Sequence, residues 1–289
     1  MKEKKKKTDH LLALIREGRP MTSGEQLRLT VALSVPAIVT QLSAIVMQYI
    51  DAAMVGSLGA NASASIGLVS TTTWLFWGLC AAASTGFSVQ VAHRIGADDW
   101  DCARSILRRS VPSTFAFSAL LAAIGVSVSG ALPQWLGGDS AIRSDASLYF
   151  LIFSLFLPIL QMNFLAAGML RCSGNMRIPS IAGILMCILD VVFNFFLIFP
   201  SREFSAGGLT LSIPGAGLGV QGAALGTGLA ESVAAAITLW YLFTRSSGLK
   251  IKAWRKSPSL PTPPIVRNSI RISLPMGLEH VVICGAQIM

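Results

Sequence analysis

Apolar residues of this chain are grouped in long stretches that are separated by short charged or Gly/Pro-rich breaks. A helix needs about 20 largely apolar residues to cross a hydrocarbon core of roughly 30 Å. A seventh stretch of this kind begins near Ile265 and is still apolar at Met289. The pattern predicts an all-α membrane protein with six complete transmembrane helices, at about residues 30–52, 64–93, 110–132, 147–170, 178–199 and 220–244.

Composition supports lipid as the solvent of this fold. Hydrophobic residues make up 53% of the chain and charged residues 13%, and the mean hydropathy is +0.62. Soluble proteins carry roughly a quarter charged residues. The basic run Lys4–Lys7 is followed by polar sequence, not by an apolar core, so the first residues are not a signal peptide.

The net charge of +9 is distributed asymmetrically. If the N-terminus and the ends of helices 2, 4 and 6 share one side of the membrane, that side holds every Lys and Arg except Arg143 and Arg202. Basic residues collect in cytoplasmic loops. We therefore expect a multi-pass protein of the cell (cytoplasmic) membrane with a cytoplasmic N-terminus, whose partner is the lipid bilayer and not nucleic acid.

The seventh apolar stretch resembles the first at an offset of 239 residues, which aligns Pro36 with Pro275 and Gln48 with Gln287. A repeat that restarts after an even number of helices keeps its membrane orientation, as parallel transporter repeats do. Chance similarity between two Leu/Ile/Val-rich helices is the alternative. The repeat predicts a chain that looks cut within a second, missing C-terminal lobe. Its parts would be a cytoplasmic tail (1–29), a six-helix lobe (30–244), a cytoplasmic loop (245–264) and the first helix of the second lobe (265–289).

Acidic residues within apolar spans are the main functional candidates, because lipid penalises charge. Asp51 lies near the outer end of the first span, and Gln41 and Gln48 precede it at spacings that favour one helical face. Such a polar face is expected to look into the bundle or a water-filled cavity. The alternative is that Asp51, at a helix end, reaches the membrane surface.

Asp190 and Asn194 are one turn apart on the fifth predicted helix. An acid and an amide at this spacing can ligate a proton, a sodium ion or a water, or can merely join two helices. Glu231, which follows a run of small residues in the sixth helix, is a weaker candidate of the same kind. Glu279 and His280 lie in the seventh stretch, where the sequence alone places no partner for them.

Motifs of enzymes and ATP-driven pumps are absent from the sequence. It contains only three histidines and no HExxH, GxSxG or GxxxxGK[ST] motif. Its five cysteines have no CxxC spacing, so neither a metal site nor a disulfide framework is expected. A transporter with these features needs no cofactor and would draw its energy from a gradient of H⁺ or Na⁺.

Several loop and helix segments resemble the multidrug and toxic compound extrusion (MATE) family of cation antiporters. The similarity begins at Pro36 and covers most of residues 30–289. It is carried by the segments QYIDAAMVGSLG (48–59), GFSVQVAHRIGADD (86–99), LRCSGNMRIP (170–179), LDVVFNFFLIF (189–199) and GLGVQGAALGT (217–227).

This resemblance implies two six-helix lobes around a central cavity that exchanges small organic cations for H⁺ or Na⁺. It identifies Asp51 with the acid of the family's first helix, and Asp190 with Asn194 as the polar pair of helix 5. Many relatives carry the amide before the acid, whereas here the acid comes first. Aromatic and Met side chains such as Trp74, Trp77, Phe87 and Met47 could form an apolar wall for such cargo or could simply pack.

Two other functions fit parts of the sequence. A flippase for a lipid-linked saccharide would share the repeats but normally has a strongly cationic cavity, whereas the charges in these spans are acidic. The second is an inactive, truncated membrane remnant. Whether the coding sequence continues beyond Met289 distinguishes a remnant from half of a transporter.

Overall fold

A computed structural model describes residues 22–206, 209–246, 248–249 and 262–288 of the chain. Within these residues the fold is helical except for one hairpin. The helices are α1 (Ser23–Gly56), α2 (Ala60–Gly96), α3 (Trp100–Val128), α4 (Leu132–Trp135), α5 (Ser140–Cys172), α6 (Arg177–Ile198), α7 (Gly219–Thr244) and α8 (Thr262–Ile288), and the strands are β1 (Pro200–Ala206) and β2 (Leu209–Ala216).

The predicted number of membrane-crossing helices is confirmed. In the described residues six helices, α1, α2, α3, α5, α6 and α7, are long and apolar enough to span a bilayer. α8 forms on the seventh apolar stretch and, like α1, contains a proline within the helix, but it is not one of those six. The chain is therefore a multi-pass membrane protein.

Most helices extend beyond the spans that hydropathy predicts, because polar side chains cap their ends outside the apolar region. Thr22 and Glu25 form a capping box at the start of α1. Asp99 caps α3 by accepting a hydrogen bond from the Cys102 backbone N–H at 3.1 Å, and Asp139 caps α5 in the same way.

The third span is the exception, since it ends earlier than predicted. α3 ends at Val128, and the chain turns through Gly130 into the one-turn helix α4, which has Pro133 in its first turn. The predicted boundary at residue 132 was wrong, because apolar residues continue across this turn and hydropathy alone does not show the break.

The hairpin between α6 and α7 was not predicted. β1 and β2 pair antiparallel, with Phe204 opposite Leu211 and Ala206 opposite Leu209. The sequence of this segment looks like a Gly- and Pro-rich connection, because Gly207, Gly208, Pro214 and Gly215 flank a short alternation of five residues, 209–213.

α5 lies at the centre of the lobe and packs against α2, α3 and α7. α6 lies between α7 and α1, while α8 packs along α2. The Gln90 side-chain amide of α2 donates a hydrogen bond to the Ile265 carbonyl of α8 at 3.2 Å. α7 is the most buried of the membrane-crossing helices and α1 is the least buried, so α1 leaves most of its surface uncovered within the described residues.

The largest apolar cluster joins the end of α2, the start of α3 and the ends of α5 and α7, at residues such as Val91, Leu107, Met169 and Leu242. A second cluster around Phe150 and Leu157 fills the other half of α5. These clusters pack α5 against its neighbours, while α6 packs on α7 and α1 packs on α6.

Candidate functional site

α1 and α6 run in the same direction and approach closely at Gly183. A Cβ at Gly183 would meet the Thr40 methyl group at 2.7 Å, so a larger residue there would require the Thr40 side chain to shift. Asp51 lies eleven residues after Thr40, and Asn194 lies eleven residues after Gly183. Eleven residues are about three helical turns, and the parallel packing therefore brings Asp51 to Asn194.

Asn194 joins the two acids. Its side-chain amide donates hydrogen bonds to Asp51 Oδ1 at 2.9 Å and to Asp190 Oδ2 at 3.1 Å. Asp190 is 0% exposed and Asn194 is 1% exposed, whereas Asp51 is half-buried. The three residues, called the acid cluster below, thus form one continuous polar group within the membrane-crossing part of the lobe.

Two acceptor oxygens of the acid cluster, Asp190 Oδ1 and Asn194 Oδ1, are buried without a hydrogen-bond partner among the described residues. The carboxyls of Asp51 and Asp190 are also within hydrogen-bonding reach of each other, and the Thr227 hydroxyl of α7 reaches Asp190. Buried acceptors are normally satisfied. Oxygens converge here without enough donors, as at a site for a small cation.

No Lys or Arg in the described part of the chain pairs with Asp51 or Asp190. Two ionised carboxyls within hydrogen-bonding reach of each other repel strongly in a low dielectric. A proton shared by the pair, or a sodium ion held by these carboxyl and amide oxygens, would remove that repulsion. The cluster thus lacks a positive charge that either ion would supply.

The structure does not bring every sequence candidate to this cluster. Gln41 and Gln48 of α1 are exposed on the surface of the described lobe. Glu231 faces α5, where it accepts a hydrogen bond from the Asn163 side chain at 2.7 Å. Glu279 of α8 is exposed.

The other candidates fall in different places. His280 of α8 lies against Gly78 of α2. Phe87 is buried in the largest apolar cluster. All five cysteines are free thiols, and in the described residues no group of three or more His, Cys, Asp or Glu could hold a metal ion.

Sequence reasoning missed the amides of α5. The Gln161 side chain is fully buried and donates a hydrogen bond to the Ser84 hydroxyl of α2 at 2.6 Å, and Asn163 bonds Glu231 of α7. A signal was present, since amides in an otherwise apolar span need polar partners. The sequence could not identify those partners, because they depend on which helices are neighbours.

A groove of about 360 Å³ lies between α2 and α5. Trp77 and Phe164 form an edge-to-face pair in its wall, with ring centroids 5.0 Å apart, and Trp74 contacts Trp77. Ser84 and Arg171 also line the groove. Among the aromatic and Met residues that could form an apolar wall, Trp77 thus lines this groove.

Comparisons with known proteins agree with this architecture. The chain is 23% identical over 257 residues to a probable multidrug resistance protein NorM of Thermotoga maritima, covering 87% of this chain and 51% of that protein. It is 22% identical over 252 residues to an FAD transporter of Shewanella oneidensis, covering 84% of this chain and 53% of that protein. The chain spans about half the length of these curated relatives.

Solved structures show the same fold. An outward-facing conformation of a multidrug resistance MATE family transporter superposes with a TM-score of 0.75 at 21% identity, over 91% of this chain and 56% of that one. The family model MatE matches residues 36–196, a range that includes all three members of the acid cluster. The resemblance in the loop and helix motifs is thus confirmed, and the chain belongs to the MatE family.

Proposed function

We propose that this chain forms the N-terminal lobe of a secondary antiporter, which exports organic cations in exchange for H⁺ or Na⁺. The acid cluster carries the proposal. Two carboxyls and an amide meet there without a basic partner, and buried acids within a membrane need a cation or a proton.

Exchange follows from the charge of the cluster. With a proton or a sodium ion bound, the two carboxyls are partly neutralised and attract an organic cation weakly. Release of that ion restores the negative charge, which attracts the cationic cargo. The two cations therefore exclude each other, and a gradient of one can drive the other across the membrane.

The groove between α2 and α5 supplies a surface for the apolar part of such cargo. Cations bind well over aromatic faces, and Trp77 and Phe164 offer those faces in the groove wall. Arg171 also lines the groove, and its positive charge would repel a cation from the end of the groove at which it lies. We infer that the cargo contacts the aromatic pair and not the Arg171 end.

Charge also supports an orientation. The N-terminal tail and the segment that follows α7 are rich in Lys and Arg, whereas Arg143 and Arg202 are the basic residues expected on the opposite side. By the positive-inside rule, we infer that the N-terminus is cytoplasmic and that the protein lies in the cell membrane.

A second lobe completes the proposed transporter. α1 leaves Gln41 and Gln48 exposed, and polar amides are unfavourable neighbours for lipid. We infer that this face lines a cavity opposite a second, parallel lobe whose first helix is α8. A flippase for lipid-linked saccharides is less favoured, because the buried charged side chains of the described spans, Asp190 and Glu231, are both acids.

Substitution of the acids tests the proposal. In the complete transporter that contains this lobe, Asp51→Asn and Asp190→Asn each keep size and hydrogen bonding but cannot release a proton. We expect gradient-driven efflux of a cationic dye to fall at least about tenfold, which is about 1.4 kcal/mol of lost coupling.

Membrane levels of both variants should equal that of the wild type. Asp98→Asn, which removes an exposed carboxyl in the turn between α2 and α3, is the matched control and should export dye normally. Wild-type efflux in both Asp variants would show that the cluster only joins helices.

A further inference from the structure

A second buried carboxyl lies in the lobe, apart from the acid cluster. Glu231, near the middle of α7, is 8% exposed. It accepts a hydrogen bond from Asn163 Nδ2 of α5 at 2.7 Å. The Asn163 Oδ1 in turn accepts a hydrogen bond from the Thr238 hydroxyl at 2.9 Å, so Asn163 joins two turns of α7 and has both of its polar atoms occupied.

The helices on either side give Glu231 no positive partner. The part of α5 between Asp145 and Arg171 contains one titratable residue, Tyr149. The part of α2 between Ala60 and His93 also contains one, Cys80. α6 brings Asp190 and Cys187 into electrostatic range of Glu231. α1 adds Asp51 beside Asp190.

An ionised Glu231 would thus be a lone negative charge among apolar groups and other acids. An unpaired charge in such surroundings is costly, whereas a protonated carboxyl is an ordinary hydrogen-bonding group. The neutral acid keeps its bond from Asn163 and can donate its own proton. Glu231 is therefore stable here when it holds a proton.

Glu231 is also placed to sense the acid cluster. Thr227, which reaches Asp190, lies one turn before Glu231 on α7. On the same helix Gly226 packs against Asn194, and Gly228 packs against Phe156 of α5. α7 thus contacts the acid cluster at Gly226 and Thr227 and, one helical turn later, contacts Asn163 of α5 through Glu231.

We propose that Glu231 is a second proton-binding residue of this lobe, held by Asn163 at the contact between α5 and α7. A change in the packing of these two helices would alter the hydrogen bond to Asn163 and so the affinity of Glu231 for its proton. Use of this proton in antiport rests on the proposed function, whereas the binding itself does not.

Infrared difference spectroscopy of the purified chain in lipid nanodiscs tests the proposal, because a protonated carboxyl has an absorption band that a carboxylate lacks. We expect the Asp51→Asn/Asp190→Asn double variant to retain such a band at neutral pH. With Glu279→Gln present in every protein, so that the carboxyl of α8 contributes nothing, adding Glu231→Gln should abolish the band. Adding Asp98→Asn, which removes an exposed carboxyl between α2 and α3, should leave it unchanged. A double variant with no band, or a band that survives Glu231→Gln, would overturn the proposal.

A second pair of variants covers the case in which the Glu231→Gln protein does not fold. In the same double-variant background, Asn163→Ser removes the long amide donor and should shift the frequency of the band. Ser84→Ala, which breaks the hydrogen bond from Gln161 between α2 and α5, should not shift it. An unshifted band in the Asn163→Ser protein would also overturn the proposal.

Failure here is distinguishable from failure of the proposed function. If the double variant lacks the band while the wild-type transporter exports dye and Asp51→Asn does not, the acid cluster couples transport and Glu231 binds no proton. If the band behaves as expected but the Asp51 and Asp190 variants transport normally, Glu231 binds a proton that the cluster does not use.

Discussion

At the scale of single residues, the acid cluster depends on one amide. Asn194 donates to both Asp51 and Asp190 and leaves its own oxygen unpartnered. The sequence predicted the pair Asp190 and Asn194 from their spacing, and it identified Asp51 as a separate candidate. That the three meet was not predictable, because it depends on how α1 packs against α6.

Replacement of Asn194 by Ala is expected to impair both function and stability. It removes the donor to two buried acids, and a buried group that loses its partner costs about 1–3 kcal/mol. We expect a lower midpoint of thermal unfolding in detergent and at least about tenfold weaker efflux.

Ser43→Ala is the control for Asn194→Ala, since the Ser43 hydroxyl donates to the Val39 carbonyl of its own helix. It should change neither the midpoint of thermal unfolding nor the rate of efflux. An Asn194→Ala protein as stable and as active as the Ser43→Ala protein would contradict the role given to Asn194.

At the scale of helices, the contact between α6 and α7 positions the acid cluster. A Cβ at Gly222 of α7 would lie 2.6 Å from the Leu197 carbonyl oxygen of α6, and backbone cannot yield as a flexible side chain does. Small residues of this kind allow close helix packing in membranes. The sequence showed the small-residue run of α7 but not which helix it faces.

Gly222→Ala should therefore force α6 and α7 apart. Overpacking costs about 1–3 kcal/mol, and we expect a lower unfolding midpoint for the purified chain. Gly67→Ala on α2, where the added methyl group meets open space, is the matched control and should be neutral or slightly stabilising, because alanine favours helix more than glycine does. Equal midpoints for the two variants would show that this contact is looser than the structure indicates.

Hydropathy was sufficient to predict the long helices, because lipid requires every backbone group in a span to bond within its own helix. It was insufficient for α4 and for the β1–β2 hairpin. Those elements lie between spans, where backbone groups have other partners and the sequence patterns are only a few residues long. Helix ends were likewise decided by single caps such as Asp99 and Asp139.

At the scale of the whole molecule, the orientation of the lobe is open to a direct test. We expect a reporter fused near Gly248 to be cytoplasmic and one fused near position 207, which lies outside the described residues, to be on the opposite side. The expectation rests on the basic residues that gather after α7 and in the N-terminal tail. Both reporters on one side would contradict a single membrane crossing by α7 between the two positions.

The lobe by itself should insert but not transport. Six helices satisfy their own backbone hydrogen bonds in lipid, so the 289-residue chain should reach the membrane. Alternating access needs two lobes that move against each other. We expect no dye efflux from vesicles containing this chain alone and efflux on co-expression of a second lobe. Gradient-dependent efflux by the chain alone would contradict the half-transporter account.

Proton release on cargo binding tests the central claim most directly. An organic cation such as tetraphenylphosphonium is added to the complete transporter in weakly buffered detergent solution, with and without sodium, and pH and binding are recorded together. The account predicts that bound cargo releases protons, or competes with sodium at constant pH, and that Asp51→Asn/Asp190→Asn abolishes this linkage. Binding of the cation with no release of protons and no competition by sodium would contradict it.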